Sequence, residues 1–155
     1  MHRVPVADPP FSPPWSERFP RSVADPGRAR PLAAVRAYLV GGPEVASIAP
    51  EAVLEAPGLA GQLRGAAAIA GYWSALLGAL DKRELTTESA FEAADRAAIV
   101  VRLRGVHRGR LLGWAPTGRR IDLALVVLAR VDDGQIRHVR LSFDRRTLLE
   151  QIGEG

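Results

Sequence analysis

The chain has 155 residues, of which 47% are hydrophobic and 25% charged, the proportions of one globular domain and not of a disordered, collagenous or coiled-coil chain. It has no cysteine and three scattered histidines (His2, His107 and His138), which excludes disulfides, thiolate catalysis and cysteine-bound metals and argues against a histidine metal cage. The net charge of +4 and pI of about 10.5 rest on dispersed arginines interleaved with acids, Lys82 being the only lysine, so the surface reads as solvated and no nucleic acid is expected as a partner.

Eight of the 12 prolines lie in residues 1–31. Residues 1–30 have no period of 2 or 3.6, and proline removes backbone donors, so they read as an extended arm preceding a folded domain at 31–155. Phe11, Trp15 and Phe19 either anchor that arm on the domain or a partner subunit, or belong to a disordered leader. Residues 31–40 predict a helix with Pro31 in its first turn and Leu32, Val35, Tyr38 and Leu39 on one face, ended by Gly41-Gly42. Residues 43–49 suit a further helical turn or two. Residues 51–55 read as a short strand closed by Ala56-Pro57-Gly58. The clearest helix is 65–81, its apolar side marked by Ile69, Tyr72, Trp73, Leu76, Leu77 and Leu80.

From residue 84 the period changes to 2. Strands are expected at 84–94, 97–108, 119–131 and 135–143, with turns at Asp95-Arg96 and Asp132-Asp133-Gly134 and a closing helical turn at 145–152. Helices first and an antiparallel run afterwards give an α+β fold, with helices on one face of a curved sheet and a cavity at its open end. No stretch approaches the ~18 apolar residues of a membrane span, and prolines interrupt any signal-peptide core, so a cytoplasmic protein is expected.

The segment from His107 to Arg120, HRGRLLGWAPTGRR, resembles the H-x-G-x-F/L-x-G-x-x-P-T-G-R/K segment of the SnoaL-like polyketide cyclases. Arg130-Val131-Asp132-Asp133-Gly134-Gln135-Ile136 is similar to that family's R-x-x-D-G-K-I turn. Phe143-Asp144 and the run from Leu148 to Gly153 are similar to its W-D and L-L-x-Q-L-G ending. The resemblance covers roughly residues 31–153. It implies a cone-shaped fold of the nuclear-transport-factor-2-like type: a bent antiparallel sheet and about three N-terminal helices around a deep apolar pocket, often paired into homodimers through the sheet.

In the family's aldol cyclases an aspartate seven residues after the turn glycine acts as acid/base, assisted by a histidine seven residues before it. Counted from Gly134, those positions here are Leu141 and Val127. Neither takes up a proton, so an aldol mechanism is not expected. By strand alternation Leu141 shares a face with Val139 and Phe143, while His138, Arg140 and Ser142 point the other way. The expected pocket is lined by Trp73, Leu76, Phe91, Val101 and Leu103, together with Trp114, Val127, Leu141 and Phe143.

Glu55 would be an acid with a raised pKa if it faces that cavity, or a solvent-facing turn residue if it does not. The phenols of Tyr38 and Tyr72 either orient a substrate carbonyl or cap the core. His107 suits a structural hydrogen bond at a strand end, and Asp144 an anchor for the last strand. The expected function is a cyclase needing neither cofactor nor metal, which closes a ring in a small apolar polyketide-like substrate. Closure would be shape-driven, as in a four-plus-two pericyclic addition, or acid-assisted by Glu55, Tyr72 or Tyr38. The alternative is a non-catalytic binding or interaction module on the same fold.

Overall fold

The structure is a computed structural model that describes residues 31–40 and 47–153. The proline-rich arm with Phe11, Trp15 and Phe19, and the glycine pair at 41–42, lie outside the described residues. Three helices and six strands follow in the order α1 (Pro31–Val40), β1 (Ile48–Glu55), β2 (Leu63–Arg64), α2 (Ala66–Gly78), β3 (Leu80–Ala93), β4 (Arg96–His107), β5 (Arg120–Asp132), β6 (Gln135–Ser142) and α3 (Arg145–Ile152). Two helices therefore precede the long strands, and the third closes the chain. The strands form one mixed sheet in the order β2-β1-β6-β5-β4-β3. Strands β3 to β6 form an antiparallel meander, and β1 joins β6 in parallel.

Period-2 patterning sets the sheet's two faces. Along β5, Ile121, Leu123, Leu125, Val127, Ala129 and Val131 are buried, while Ala124, Val126, Leu128 and Arg130 are exposed. Buried rows continue across strands: Ile99 pairs with Val127 and Val127 with Leu141; Ala97 pairs with Ala129 and Ala129 with Val139. Helices α1 and α2 cover this face. Pro31 suits the first turn of α1, where no intrahelical N–H partner is needed, and Ala34, Val35, Tyr38 and Leu39 turn inward. Helix α2 buries Ile69, Trp73, Leu76 and Leu77, an i, i+4, i+7, i+8 stripe.

Of the helical turns expected at 43–49, residues 43–46 lie outside the described residues, and strand β1 already begins at Ile48. Ile48 and Ala49 are buried, and Ile48 pairs with Ile136, a partner far along the chain. Strand β3 likewise begins at Leu80, which the helical spacing had assigned to α2; it pairs with His107 instead. Two register shifts, one beside Lys82 at φ 49°, bend β3.

The family-like motifs have structural uses. In the β5–β6 turn, Asp133 and Gly134 both take the left-handed conformation (φ 49° and 74°), as a two-residue hairpin requires. Asp144 caps α3: its carboxylate accepts from the Arg146 N–H (3.0 Å) and the Thr147 hydroxyl (2.7 Å), and these bonds hold its pKa below the usual carboxylate value. Gln151 clamps α3 to β5. Its Oε1 accepts from the Asp122 N–H and its Nε2 donates to the Asp122 carbonyl, both at 2.8 Å.

Candidate functional site

The residues expected to line a pocket divide between the two faces of the sheet. Val101, Leu103, Val127 and Leu141 lie on the covered face and join one core with Trp73 and Leu76; none of the four strand residues is more than 4% exposed. Phe143 and Trp114 are half-buried against that core. Phe91 does not belong with them. It pairs with Ala98 on the outward face and is 61% exposed.

Glu55 is also on the outward side, paired with Arg140. Its carboxylate accepts from Gln62 (3.4 Å), lies 3.0 Å from His138 Nε2 and 3.9 Å from Arg140 Nε. The Gln62 hydrogen bond, followed by the His138 and Arg140 contacts, outweighs desolvation and lowers its pKa. Glu55 is therefore an ionised surface partner and not the protonated acid of an apolar cavity. His138 faces outward with it, as strand alternation requires.

The two tyrosines differ in access. Tyr38 is buried, its hydroxyl donating to the Ile69 carbonyl at 3.4 Å and its ring tilted 37° against Trp73 with centroids 5.8 Å apart. Trp73 Nε1 donates to the Leu39 carbonyl at 3.0 Å, so this aromatic pair ties α1 to α2. Burial, with the neighbouring Tyr72 adding to it, raises the Tyr38 phenol above its ordinary pKa. Tyr72 is half-buried, its hydroxyl 3.5 Å from the Pro57 carbonyl, and desolvation raises its pKa too. Unlike Tyr38, it lines a cavity of about 210 Å³ whose other walls are Ala75, Leu76, Arg110, Leu111 and Leu112.

That cavity's far wall is the β4–β5 connection, residues 108–119, and the H-x-G…P-T-G pattern explains how it is held. His107 is fully buried; its Nδ1 lies 3.0 Å from Thr117 Oγ1, which also accepts from the Arg119 N–H (3.3 Å). The His107 carbonyl accepts from the Gly118 N–H, and the His107 N–H donates to the Arg119 carbonyl, both at 2.8 Å. Among the described residues, Nε2 of His107 is buried without a hydrogen-bond partner. Gly109 lies on the end of α2, where a Cβ would come within 3.1 Å of Ala79 Cα; its N–H and that of Arg108 both donate to the Ala79 carbonyl. At the tip, Leu111 and Trp114 exchange backbone hydrogen bonds around Leu112 and Gly113, both left-handed (φ 47° and 89°). A leucine at φ 47° is strained, on the order of 1–3 kcal/mol.

Arg110, Leu111 and Leu112 were legible only as parts of a motif. Gly113 is a local turn cue, but leucine at the first turn position disguises the turn. Among the described residues no group of three or more histidine, aspartate or glutamate side chains is placed to hold a metal ion, and no helix is long and apolar enough to cross a membrane.

This arrangement defines the class: a small α+β fold with one sheet face packed under helices, shared with solved proteins of the ketosteroid isomerase-like or nuclear-transport-factor-2-like type. The pattern of the SnoaL-like polyketide cyclases matches residues 45–152, and the chain belongs to that family. A candidate SnoaL-like polyketide cyclase from Jannaschia sp. CCS1 superposes with a TM-score of 0.74 at 18% identity, over 86% of this chain and 99% of that one. IdmH, a candidate polyketide cyclase from Streptomyces antibioticus, is 27% identical with a TM-score of 0.65 over 81% of this chain and 99% of its own. AclR of Streptomyces galilaeus, described as a candidate hydroxylase, reaches 0.65 at 21% identity over 81% of this chain and 85% of that chain. No curated protein sequence matches the chain.

Proposed function

We propose that this protein closes a ring in an apolar polyketide-type substrate without a carboxylate–imidazole pair, by holding the substrate in a folded reactive conformer and donating a hydrogen bond from Tyr72. The observation that carries this reading is the pairing of Val127 with Leu141, apolar and buried at the positions where the family resemblance puts the aldol acid/base groups. Proton abstraction beside a carbonyl has no base there. Preorganisation of a flexible chain needs none, and supplies several kcal/mol of barrier reduction on its own. A phenol kept neutral by desolvation is a hydrogen-bond donor throughout the physiological range. The test is single-turnover conversion of a linear polyketide precursor by purified protein without added metal or nucleotide. Acceleration that Tyr72→Phe reduces supports the reading. A ligand retained through purification but never converted favours a binding module instead.

We further propose that the outward sheet face joins two copies of the chain. Phe91, Ala98, Leu128 and Arg140 form one row across four strands, and Phe91, Leu128 and Val126 are 61%, 44% and 36% exposed. Contiguous exposed apolar surface of this kind favours association. Sedimentation should show a dimer that Leu128→Arg dissociates; a monomer at high concentration rules this pairing out.

A further inference from the structure

The cavity beside Tyr72 has a cation in its wall and no acid. Its lining is Tyr72 and Arg110 among the apolar groups of Ala75, Leu76, Leu111 and Leu112. Nη1 of Arg110 donates to the Gly113 carbonyl at 3.1 Å, and Gly113 is held in turn by the Leu111–Trp114 backbone exchange. Among the described residues the guanidinium is thus held through one of its five N–H donors, and the other four face no protein acceptor. The Tyr72 hydroxyl lies against the Pro57 carbonyl, and Leu112 reaches Gly58 of the same turn, 4.0 Å from where a Cβ would stand. Phenol and strained leucine therefore both meet the 57–58 turn, and Arg110, itself exposed to solvent, is the one charged group in the cavity's lining. At about 210 Å³ the space is below the roughly 300–1,000 Å³ that encloses a whole drug-sized ligand, so it suits one end of a longer molecule.

We infer that Arg110 is a positioning residue that makes this cavity selective for an apolar carboxylate, the carboxylate pairing with the guanidinium and the apolar body lying along Leu76, Leu111 and Leu112. Arginine suits the role because its planar fork matches a carboxylate's two oxygens. The inference rests on the same cavity as the cyclase reading but not on turnover, so the two fail separately.

The experiment uses the full chain and two probes of one shape, 2-naphthoate and 2-naphthamide, titrated by fluorescence. The naphthoate is expected to bind about five- to tenfold tighter than the amide, the scale of a partly screened ion pair. Arg110→Gln should abolish that preference by lowering naphthoate affinity to that of the amide, and Arg110→Lys should keep part of it. Arg130→Gln is the control for the separate outward groove, where Arg130 and Arg140 flank Phe91 and Leu128; it should change nothing. Equal binding of the two probes, binding of neither, a preference that survives Arg110→Gln, or one lost with Arg130→Gln would each overturn the assignment. Absence of ring closure with the naphthoate preference intact would overturn the cyclase reading alone.

Discussion

Val127 of β5 and Leu141 of β6 stand opposite each other on the covered face of the sheet, 0% and 4% exposed, with Ile99 of β4 paired on the far side of Val127. Leu141→Asp buries a carboxylate with no partner, at an expected cost of about 3–5 kcal/mol. Val127→His alone places an imidazole in the same apolar row. In the double variant the two groups face each other and form a hydrogen bond. Its loss of stability in urea unfolding should therefore be smaller than the sum of the single losses. Strictly additive losses would contradict the facing geometry.

Tyr72 and Tyr38 separate function from packing. Tyr72→Phe should lower the rate of ring closure by about 10²-fold, the lower end of the range for a positioned acid, with little change in thermal stability. Tyr38→Phe should leave the rate alone and lower stability by about 1 kcal/mol or less, its hydrogen bond to Ile69 being long. The pH dependence has a definite sign. Both phenols have raised pKa values in the folded chain, so the unfolded chain ionises first, near pH 10. Stability is then lost as pH rises above about 10, and less steeply in Tyr38→Phe, whereas ring closure should stay level between neutrality and that limit. Unfolding curves across this alkaline range decide it.

What the sequence disclosed depended on how local the determining interactions are. Helix α1 was legible at both ends and α3 likewise, because Pro31, the apolar spacing of Val35, Tyr38 and Leu39, and the terminal Gly153 all act within a turn or two. The strands from β4 onward were legible because Ile99, Val101 and Leu103 alternate cleanly. Ile48 and Leu80 were misplaced because their strand character comes from Ile136 and His107, partners too distant to leave a local pattern. Phe91 reads as a pocket residue in the sequence; the register shift between Thr87 and Ser89 decides its face, and its pairing with Ala98 reveals it. The Arg110–Leu112 wall was hidden for a different reason. Its shape depends on a leucine in a conformation that leucine rarely adopts, so residue preference points away from it.

Glu55 gives an acid-side prediction. Its pKa is depressed by Gln62, His138 and Arg140, so its contribution to stability is present above the ordinary carboxyl pKa and is lost as pH falls through the folded value. Glu55→Gln should therefore differ from the parent chain in thermal midpoint at pH 7, the difference shrinking as pH falls below the ordinary glutamate pKa near 4.3 and vanishing below the lowered folded value. Ring closure should be unaffected at neutral pH, because the side chain lies on the outward face. A large loss of activity in Glu55→Gln would return this carboxylate to the chemistry.

The contact between His107 and Thr117 links the family motif to the cavity. Thr117 Oγ1 receives the Arg119 N–H and lies 3.0 Å from the buried His107 ring, while the backbone of Gly118 and Arg119, just after it, is paired to the His107 strand end. Thr117→Val keeps the shape and removes the hydroxyl. It leaves His107 with neither ring nitrogen hydrogen-bonded, because Nε2 has no partner either. The expected loss of stability is about 1–3 kcal/mol, that of an unsatisfied buried polar group. Its functional consequence should be felt at residues 110–112, which the same connection carries. Substrate affinity should fall and KM rise, while kcat per folded molecule holds, since Tyr72 on α2 is untouched. Thr117→Ser, which restores the hydroxyl, should recover both stability and KM. Hydrogen exchange supplies the structural readout: faster exchange at the Gly118 and Trp114 amides in Thr117→Val, with Tyr72 amide protection unchanged, is the expected pattern. If KM stays at the parent value while those amides open, the 108–119 connection is not a wall of the working site.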